Sequence, residues 1–570
     1  MERRQDRFGL VQHLADFHPL LPAEEIVVAG LATGDFDRLG DGSRPDAPEP
    51  GRLIRAAFLR FLILGGDDEF RPHEKGIRLS GAYVGGVLDL EACHVVRDIG
   101  LTNCRFDSTP VLNSAVIERL FLDGSAMPGL NAERVQARGG LYLRGAEVSG
   151  AARLASATFG GAVLCDGSVF SPVAGPAFDA EGIEARRLHM RGARCDGPVI
   201  LTGAELAGDL DCASMEVAGE KTGIALDARA VDVGGSVILR GARIAGETNL
   251  VAARIRSDLS CTAAHLRNPG GAALQISRAT VGGAFFLRDG AAIEGTLAMT
   301  AAVIGSIHDD AGSWPGAGDL LLNRCLYQAF IGGPVDAASR LDWLSRQAPE
   351  RWGEDFWPQP YEQLAAVLQD MGHEGDARTV LVEKDRLQRR TRRAAIANPL
   401  VRGVHAAIDA VLKVTVGYGR QPLLAFVWLF FLWVLGVLLF GLAEGEGAFR
   451  PTNPVLLRQP EWTLCGLPAG ETVTLATGEV AEGIAAPGEG QLACFRSRRE
   501  AASFPVFSPW MYSLDNLLPV LDLQQKDFWS PYPISPVGIL AWAYFYLQGI
   551  LGWTLSLLAV AGFSGLVRIR

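Results

Sequence analysis

The segment LYLRGAEVSG at residues 141–150 carries the pattern that decides the fold, and close copies follow as VILTGAELAG at 199–208 and VILRGARIAG at 237–246. Their common form is LxLxGAxVxG. Each copy holds two short alternating segments, LxL and AxV, separated by a turn, so the outer residues of each triplet lie on one face. Segments this short cannot bury that face alone. The pattern therefore predicts coils that stack around a continuous core, as in a β-solenoid.

Apolar residues keep an eleven-residue step through much of the first 310 positions. The step is carried by Leu79, Leu90, Leu101, Leu112, Leu143, Leu154, Cys165, Met190, Leu201, Cys212, Leu239, Leu250 and Cys261. Two units predict a coil of about 22 residues with four short sides. The unit resembles the right-handed quadrilateral β-helix of pentapeptide-repeat proteins, although it steps by about eleven and not strictly by five. We predict a mainly β fold, with a right-handed β-solenoid over residues 71–318.

A longer period of 48 residues connects Leu130, Phe178, Leu226 and Leu274. Each of the four follows or lies near a few extra residues, which read SAMPG, SPVAGPA, AGEKTG and RNPGG. If 48 residues make two coils, these insertions fall on the same corner at every second turn. The sequence therefore predicts a row of loops along one edge, where repeat proteins often bind their partners. The alternative is neutral drift of loop length.

Helical periodicity flanks the solenoid on both sides. The helical segments are predicted at Pro22–Thr33, Arg52–Leu64, Asp336–Ala348, Pro360–Met371 and Asp376–Arg393. We interpret residues 1–70 as a cap that protects the open edge of the first coil. Residues 319–420 form a helical connector that resembles a single tetratricopeptide-like hairpin, which we expect to pack on the last coil.

Two long segments near the end carry no charge: Leu423–Ala443 and Ser535–Val567. About 20 apolar residues cross a bilayer as a helix, so we predict transmembrane helices at 421–443 and 535–567. Basic residues before the first span, together with Arg568 and Arg570 after the second, predict a cytoplasmic location for both termini. Residues 444–534 would then form an extracytoplasmic loop.

The start of the chain, Met1–Arg7, is not followed by the apolar core of a secretory signal peptide. Arginine and glycine usage suggests a bacterial genome. We therefore expect a multi-pass protein of the bacterial plasma membrane. The net charge of −11 argues against nucleic acid as a partner.

The predicted outer loop contains Cys465 and Cys494, the only cysteines after the first span. In an oxidising compartment we predict a disulfide between them, enclosing a hairpin made from ETVTL and a turn at Gly478. The alternative is two free thiols. The following segment, Phe504–Leu523, is apolar except for Asp515 and Asp522, and predicts an amphipathic stretch in the outer interface. The alternative reading of the two carboxylates is a proton-relay or ion site.

A basic stretch precedes the first span, with lipid-headgroup contacts predicted for Arg389, Arg390, Arg392, Arg393 and Arg402. Between this stretch and the span, residues 415–419 spell TVGYG, the selectivity filter of potassium channels. The preceding segment is too charged to be a span. We therefore interpret the motif as a juxtamembrane glycine turn, with Tyr418 among the lipid headgroups.

Several motifs occur together: RLFLDGSAMPGL, VGG and NPGG in the solenoid, PYEQLA and GDARTVLVEK in the connector, VTVGYGRQP before the first span, and YSLDNLLPVLDL before the second. In this combination the chain resembles bacterial membrane proteins labelled membrane-associated oxidoreductase. The resemblance implies the architecture and an oxidoreductase activity. It supplies no catalytic residues.

The sequence offers no motif for such an activity, since it lacks a dinucleotide-binding GxGxxG between a strand and a helix, and any CxxC, haem or iron–sulfur spacing. The run His308-Asp309-Asp310 is a poor metal site, because adjacent residues rarely face one ion. We predict no catalytic residue, metal or cofactor. Our leading hypothesis is a membrane-anchored scaffold or sensor that binds the bilayer and a cytoplasmic protein. The alternatives are a membrane oxidoreductase and a channel or transport accessory, which would require a homo-oligomer.

Overall fold

The computed structural model describes residues 13–67, 70–219, 223–419, 421, 423–475, 477–501 and 504–563. The chain divides into two compact units, the first ending at Lys384 and the second beginning at Asp385. Met1–Arg7, Arg568 and Arg570, on which part of the predicted topology depends, lie outside the described residues.

The first unit contains a parallel β-solenoid of about 11 turns, which confirms the predicted fold class. Leu141 pairs in parallel with Leu120 of the preceding coil and with Val163 of the following coil. Each coil contributes strands to two sheets, which we call sheet 1 and sheet 2. Both sheets bend at a corner, so a typical coil has the four short sides that the sequence predicted.

The strands of sheet 1 are Asp37–Arg38, Ile77–Ser80, Ile99–Thr102, Val116–Ile117, Leu120–Phe121, Gln136–Ala137, Leu141–Tyr142, Thr158–Leu164, Glu184–His189, Glu205–Leu206, Leu210–Asp211, Asp232–Val233, Val237–Ile238, Arg254–Ile255, Leu259–Ser260, Thr280–Leu287, Val303–Asp309 and Leu326–Phe330. The strands of sheet 2 are Leu53–Arg55, Tyr83–Gly85, Arg105–Phe106, Ala126–Met127, Leu130–Asn131, Glu147–Val148, Ala152–Arg153, Val169–Phe170, Phe178–Asp179, Arg194–Cys195, Val199–Ile200, Glu216–Ala218, Ile224–Asp227, Arg243–Ala245, Glu247–Asn249, His265–Gln275, Ala292–Ala298 and Leu320–Leu321.

The residues that carry the eleven-residue step point into the core. Leu143, Leu154 and Cys165 are all fully buried. Six cysteines of the first unit are buried in the same way, and burial raises the pKa of their thiols, to about 12 for Cys104 and Cys261. These cysteines therefore act as small apolar residues.

The turn in each unit requires a left-handed backbone at one fixed position. Glycine takes it in LxLxGAxVxG, with φ of 64° at Gly145 and 66° at Gly203. Ser156 and Ala252 adopt the same conformation, with φ of 56° and 58°. A non-glycine residue there costs about 1–2 kcal/mol, so the stack imposes the turn. In this conformation the residue donates a backbone hydrogen bond to the next coil, for example from Ala252 N to Ser277 O at 3.0 Å.

The N-terminal cap contains helices α1 (Pro22–Gly30) and α2 (Ala56–Ile63). Both are shorter than predicted: α1 ends in a turn at 31–33, and α2 begins later because Leu53–Arg55 adds a strand to sheet 2. Asp37–Arg38 adds a strand to sheet 1.

Inside the cap, the fully buried Glu24 accepts hydrogen bonds from the backbone N–H of Leu21 at 2.9 Å and of Arg55 at 3.0 Å, and from Arg55 Nε at 2.8 Å. Burial raises the pKa of Glu24, but the hydrogen bonds from Arg55 and Leu21 outweigh burial and hold the pKa below its usual value.

The connector contains helices α3 (Ala337–Ser345), α4 (Gln359–Asp370) and α5 (Glu374–Ala394), the last of which crosses the boundary between the units. Helix α4 covers the last strand of sheet 1. The side-chain amide of Gln359 donates to Cys325 O at 3.1 Å, and that of Gln363 donates to Tyr327 O at 2.7 Å. These contacts protect a strand edge that would otherwise be open to further pairing.

A buried ion pair joins α3 to the solenoid. The Arg340 side chain is completely buried and donates to both Asp309 carboxylate oxygens, at 2.7 Å each. Trp314 Nε1 donates to the same carboxylate at 2.7 Å. The guanidinium also lies 3.5 Å from the centroid of the Phe330 ring. Asp309 and Arg340 are 31 positions apart in the sequence, so only the fold brings them together.

The second unit continues with α6 (Pro399–Val416), α7 (Leu423–Gly445), α8 (Pro454–Leu457), α9 (Pro460–Leu464), α10 (Gln491–Arg496), α11 (Pro509–Leu517) and α12 (Pro536–Phe563). Two small antiparallel pairs accompany these helices: Phe449–Pro451 with Trp529–Pro531, and Thr472–Thr474 with Val480–Glu482.

Candidate functional site

Helices α7 and α12 are long and apolar enough to cross a membrane, with mean hydropathies of 2.8 and 1.4 over their most apolar windows. Only 28% of each window is buried within the protein. The core helix of a soluble protein would be mostly buried, whereas these two helices expose large apolar side chains such as Phe430, Leu438 and Ile550. Their surfaces therefore suit a hydrocarbon environment.

Helix α11 packs against both candidate spans. Its Leu517 lies in a buried cluster with Leu429 and Leu432 of α7 and Leu555 of α12. These partners lie well inside the two apolar helices, so α11 runs alongside their middle. This position differs from the surface-lying stretch that the sequence predicted. The other side of α11 is open, with Trp510 and Met511 more than half exposed.

Buried polar side chains connect the three helices. Gln548 Nε2 of α12 donates to Ser513 Oγ of α11 at 2.8 Å and to Leu432 O of α7 at 3.2 Å. Tyr544 OH donates to the same carbonyl at 2.6 Å. At Gly436 of α7 an added Cβ would lie 2.2 Å from Ser513 Oγ, so this glycine permits the close approach. The cluster fixes the three helices to each other.

Asp515 is buried, and its carboxylate accepts backbone N–H groups from Leu523 at 3.0 Å, Gln525 at 2.9 Å and Lys526 at 3.0 Å. These bonds hold the turn that follows α11. Asp522 is exposed and accepts from Gln524 N at 3.0 Å. Both predicted membrane-site carboxylates thus stabilise local backbone turns.

The predicted lipid-contacting arginines divide into two groups. Arg389 and Arg393 bind the buried Asp409 of α6, at 3.1 and 3.2 Å, and Arg389 also lies over the ring of Tyr418 at 5.1 Å. These two arginines and Tyr418 therefore make contacts within the protein. The second group, Arg390, Arg392 and Arg402, is exposed.

The TVGYG motif closes α6. Gly417 and Tyr418 both have left-handed backbones, with φ of 52° and 56°. The motif forms the tight turn ahead of α7 that the sequence predicts. Tyr418 is only 4% exposed and its ring lies against Arg389, which differs from the predicted contact with lipid headgroups.

Cys465 and Cys494 are joined by a disulfide, with their Cα atoms 5.6 Å apart. Both are buried in a small core with Leu456 and Phe495. The hairpin of Thr472–Thr474 and Val480–Glu482 lies between the two cysteines in the sequence.

The insertions of the solenoid fall at the corner of sheet 2. Val169 and Phe178 pair with Arg194 and Val199 of the next coil, so SPVAGPA is inserted where that coil has only a short turn. AGEKTG and RNPGG are inserted at the same corner, each after a further two coils. Residues 220–222 of AGEKTG lie outside the described residues.

The prediction is wrong for SAMPG. Ala126 and Leu130 pair with Glu147 and Ala152, so this corner is shorter than the one in the next coil and carries no protruding loop. The residues SAMPG complete a regular turn of the solenoid, and the resemblance to the other three insertions is one of composition.

A groove of about 690 Å³ lies on the outer face of sheet 1. Glu184, Glu205 and Asp232 line it from adjacent strands in direct register. Arg186 and Arg256 also line it. Like charges opposite each other weaken a sheet, and Arg254 offsets part of this cost with an ion pair to Asp232 at 3.9 Å. The eleven-residue period marks residues of the core and gives no signal for this outward-facing row.

The run His308-Asp309-Asp310 splits between three environments. His308 contacts the Phe286 ring at 4.5 Å, Asp309 points inward to Arg340, and Asp310 Oδ1 accepts from Ser313 N at 2.9 Å. The described residues contain no group of three side chains suited to a metal ion. Alternation along a strand explains why the three neighbours do not converge.

Sequence reasoning also missed the polar cluster of α7, α11 and α12. The available signal is Gln548, an amide in the middle of an otherwise uncharged, mainly apolar helix.

The fold and these sites define a β-solenoid protein with two candidate transmembrane helices. Compared with known proteins, the chain matches no family model, no curated protein and no solved structure.

Proposed function

We propose that this protein is a membrane-anchored scaffold or sensor, whose solenoid binds a cytoplasmic protein through the loops at the corner of sheet 2. The observation that supports this proposal is that insertions recur at this corner in three alternate coils, at 171–177, 218–223 and 267–271. In this proposal α7 and α12 anchor the chain, and the disulfide-bearing segment between them reports external conditions.

The loops supply surface and not core. The side chains of residues 171–176 and 267–271 are half-buried or exposed, and Val173 is fully exposed. Neighbouring coils are spaced by about 4.8 Å, so loops on alternate coils recur about every 10 Å. The described loops at 171–177 and 267–271 are four coils apart and so lie about 20 Å from each other along one edge, a length suited to binding a folded partner or an extended segment.

The exposed Arg390, Arg392 and Arg402 support a cytoplasmic location for the segment before α7. With two spans, the solenoid would share this side of a bacterial plasma membrane. Contact between these arginines and anionic headgroups belongs to the same proposal.

The structure provides the design for a direct test, because neighbouring coils show how each corner closes without its loop. In one variant, residues 171–177 are replaced by the Asp-Gly-Pro of 196–198. In a second, residues 268–273 are replaced by the Gly-Thr of 295–296. A matched control carries Glu184→Gln and Glu205→Gln in the groove of sheet 1.

Each full-length protein is then purified from native membranes, and bound proteins are identified by mass spectrometry. We expect a partner that is captured by the natural chain and by the groove control, but lost from both loop variants. Circular dichroism checks that the solenoid remains folded. Retention of every partner by a chain carrying both loop replacements would contradict the proposal.

The resemblance to proteins labelled membrane-associated oxidoreductase favours a second candidate. An absorbance spectrum of the same purified chain distinguishes the two functions, since bound flavin, haem or nicotinamide absorbs at wavelengths where protein does not. A channel or transport accessory predicts a homo-oligomer that passes current in bilayers, because two spans cannot enclose a pore.

A further inference from the structure

Helix α6 presents an uncovered apolar face along its whole length. Leu400, Val404, Ile408, Val411 and Val414 are between 49% and 80% exposed. Their spacing of three and four residues places them on one side of the helix. A face of this extent on a soluble helix would normally be covered by another element.

The opposite face of α6 is polar and partly covered. It carries Arg402, His405, Asp409 and Lys413. Asp409 is buried beneath Arg389 and Arg393 of α5. The protein therefore covers Asp409 on the polar side of α6 but leaves the apolar side open, whereas in water the apolar side of a helix is normally the covered one.

The end of α6 is continuous with the surface of the candidate spans. Val416 packs with Ala425 of α7 and Ala559 of α12. Trp428 Nε1 of α7 also donates to Val414 O at 3.0 Å. The contacts lie near the start of α7 and towards the end of α12, where two spans would emerge from the same side of a membrane.

We propose that α6 lies in the plane of this membrane, with its apolar face inserted among the lipid chains and its polar face towards the water. Amphipathic helices bind bilayers in this way. The charges of Arg402 and Lys413 prevent α6 from crossing the hydrocarbon. The left-handed turn at Gly417 and Tyr418 separates the in-plane helix from α7. The occupant of the apolar face is therefore the phospholipid bilayer.

The test places one fluorescent label at a time on the two faces of α6 in the full-length chain. Cysteine is introduced at Val404 or Ile408 on the apolar face, and at Arg402 or His405 on the polar face as matched controls. All four positions are exposed, so the labels leave the packing intact. Cys93, the half-exposed free cysteine among the described residues, is replaced by serine.

The labelled chains are reconstituted into vesicles of phosphatidylcholine and phosphatidylglycerol that contain lipids with a quencher at the fifth acyl carbon. We expect labels at 404 and 408 to be quenched about threefold more than labels at 402 and 405, because only the first pair reaches the acyl boundary. Equal quenching at all four positions would overturn the inference.

Fluorescence emission typical of an apolar environment at 404 and 408, but without quenching by the lipids, would also overturn the inference. A second copy of the chain or another protein would then cover the apolar face of α6. An alkaline wash of the vesicles separates this inference from the proposed anchoring. Release of the chain would overturn both, whereas retention with equal quenching would overturn only the in-plane position of α6.

Discussion

Replacing Arg340 by methionine should destabilise the first unit strongly. The change removes two hydrogen bonds of 2.7 Å to the Asp309 carboxylate and one of 2.7 Å from Arg340 Nε to Pro334 O. Asp309 keeps its hydrogen bond from Trp314 Nε1 but loses its counter-ion at a site that is 2% exposed. Breaking a buried pair in this way costs about 3–5 kcal/mol of unfolding free energy.

A matched control is available on the solenoid surface. Arg191 forms a pair with Asp166 at 2.9 Å, but its side chain is 53% exposed. Arg191→Met should therefore cost no more than about 1 kcal/mol. The double change Arg340→Met with Asp309→Asn should be more stable than Arg340→Met alone by about 1–3 kcal/mol, because it removes the uncompensated charge.

The assay is urea unfolding of the full-length chain in detergent, followed by circular dichroism and by tryptophan fluorescence. Trp314 and Trp343 lie 5.6 and 5.4 Å from the Arg340 guanidinium and report on this site. The midpoint should fall for Arg340→Met with little change in slope. If Arg340→Met and Arg191→Met cost the same, the buried pair contributes no more than a surface pair, and the reasoning is refuted.

Three further outcomes are expected. Glu24→Gln should destabilise the protein at pH 7 and destabilise it progressively less below about pH 4. The pKa of Glu24 is lower in the folded than in the unfolded chain, so its stabilising effect is present above the unfolded-state pKa and is lost as the pH falls through the folded-state pKa. Thermal melts of both chains at several pH values measure this, and a difference that does not change with pH would contradict it. Thiol labelling of the folded chain at pH 8 without added reductant should modify Cys93 and spare the six buried cysteines, whose pKa values are raised by burial. Mass spectrometry maps the labelled sites, and fast labelling at any of the six would disprove their burial. Gly436→Val should lower the stability of the second unit in detergent by about 1–3 kcal/mol, because the added side chain overpacks against α11; thermal unfolding measures this. Gly441→Ala should be neutral, because its Cβ lies at an ordinary contact distance of 3.8 Å from Pro509. Equal effects of the two changes would rule out the close approach at Gly436.

The regular parts of the fold were predictable because a repeated local pattern leaves few alternatives. An apolar residue at every eleventh position can be buried continuously only if the coils stack, and the buried Leu143, Leu154 and Cys165 lie where this requires. The two uncharged segments likewise predict α7 and α12, because each is long enough to cross a bilayer as a helix. The loops of sheet 2 were predictable for three insertions, while SAMPG shows that composition does not fix strand register.

The sites were less predictable because each depends on a partner distant in the sequence. The basic stretch before α7 identified a group of similar arginines, but Asp409 selects Arg389 and Arg393 and leaves Arg390 and Arg392 exposed. Arg389 and Arg393 are four residues apart and therefore lie on one face of α5, whereas Arg390 and Arg392 lie on other faces.

By itself, the sequence of this protein determined a stacked β-solenoid and two segments able to span a membrane. Both follow from local periodicity and from the free energy of burying apolar surface, which a linear pattern expresses directly. Only the tertiary structure decided that Asp309 faces Arg340, that α11 packs against both candidate spans, and that the apolar face of α6 stays uncovered. These arrangements depend on which distant surfaces meet, and local periodicity carries no information about that choice.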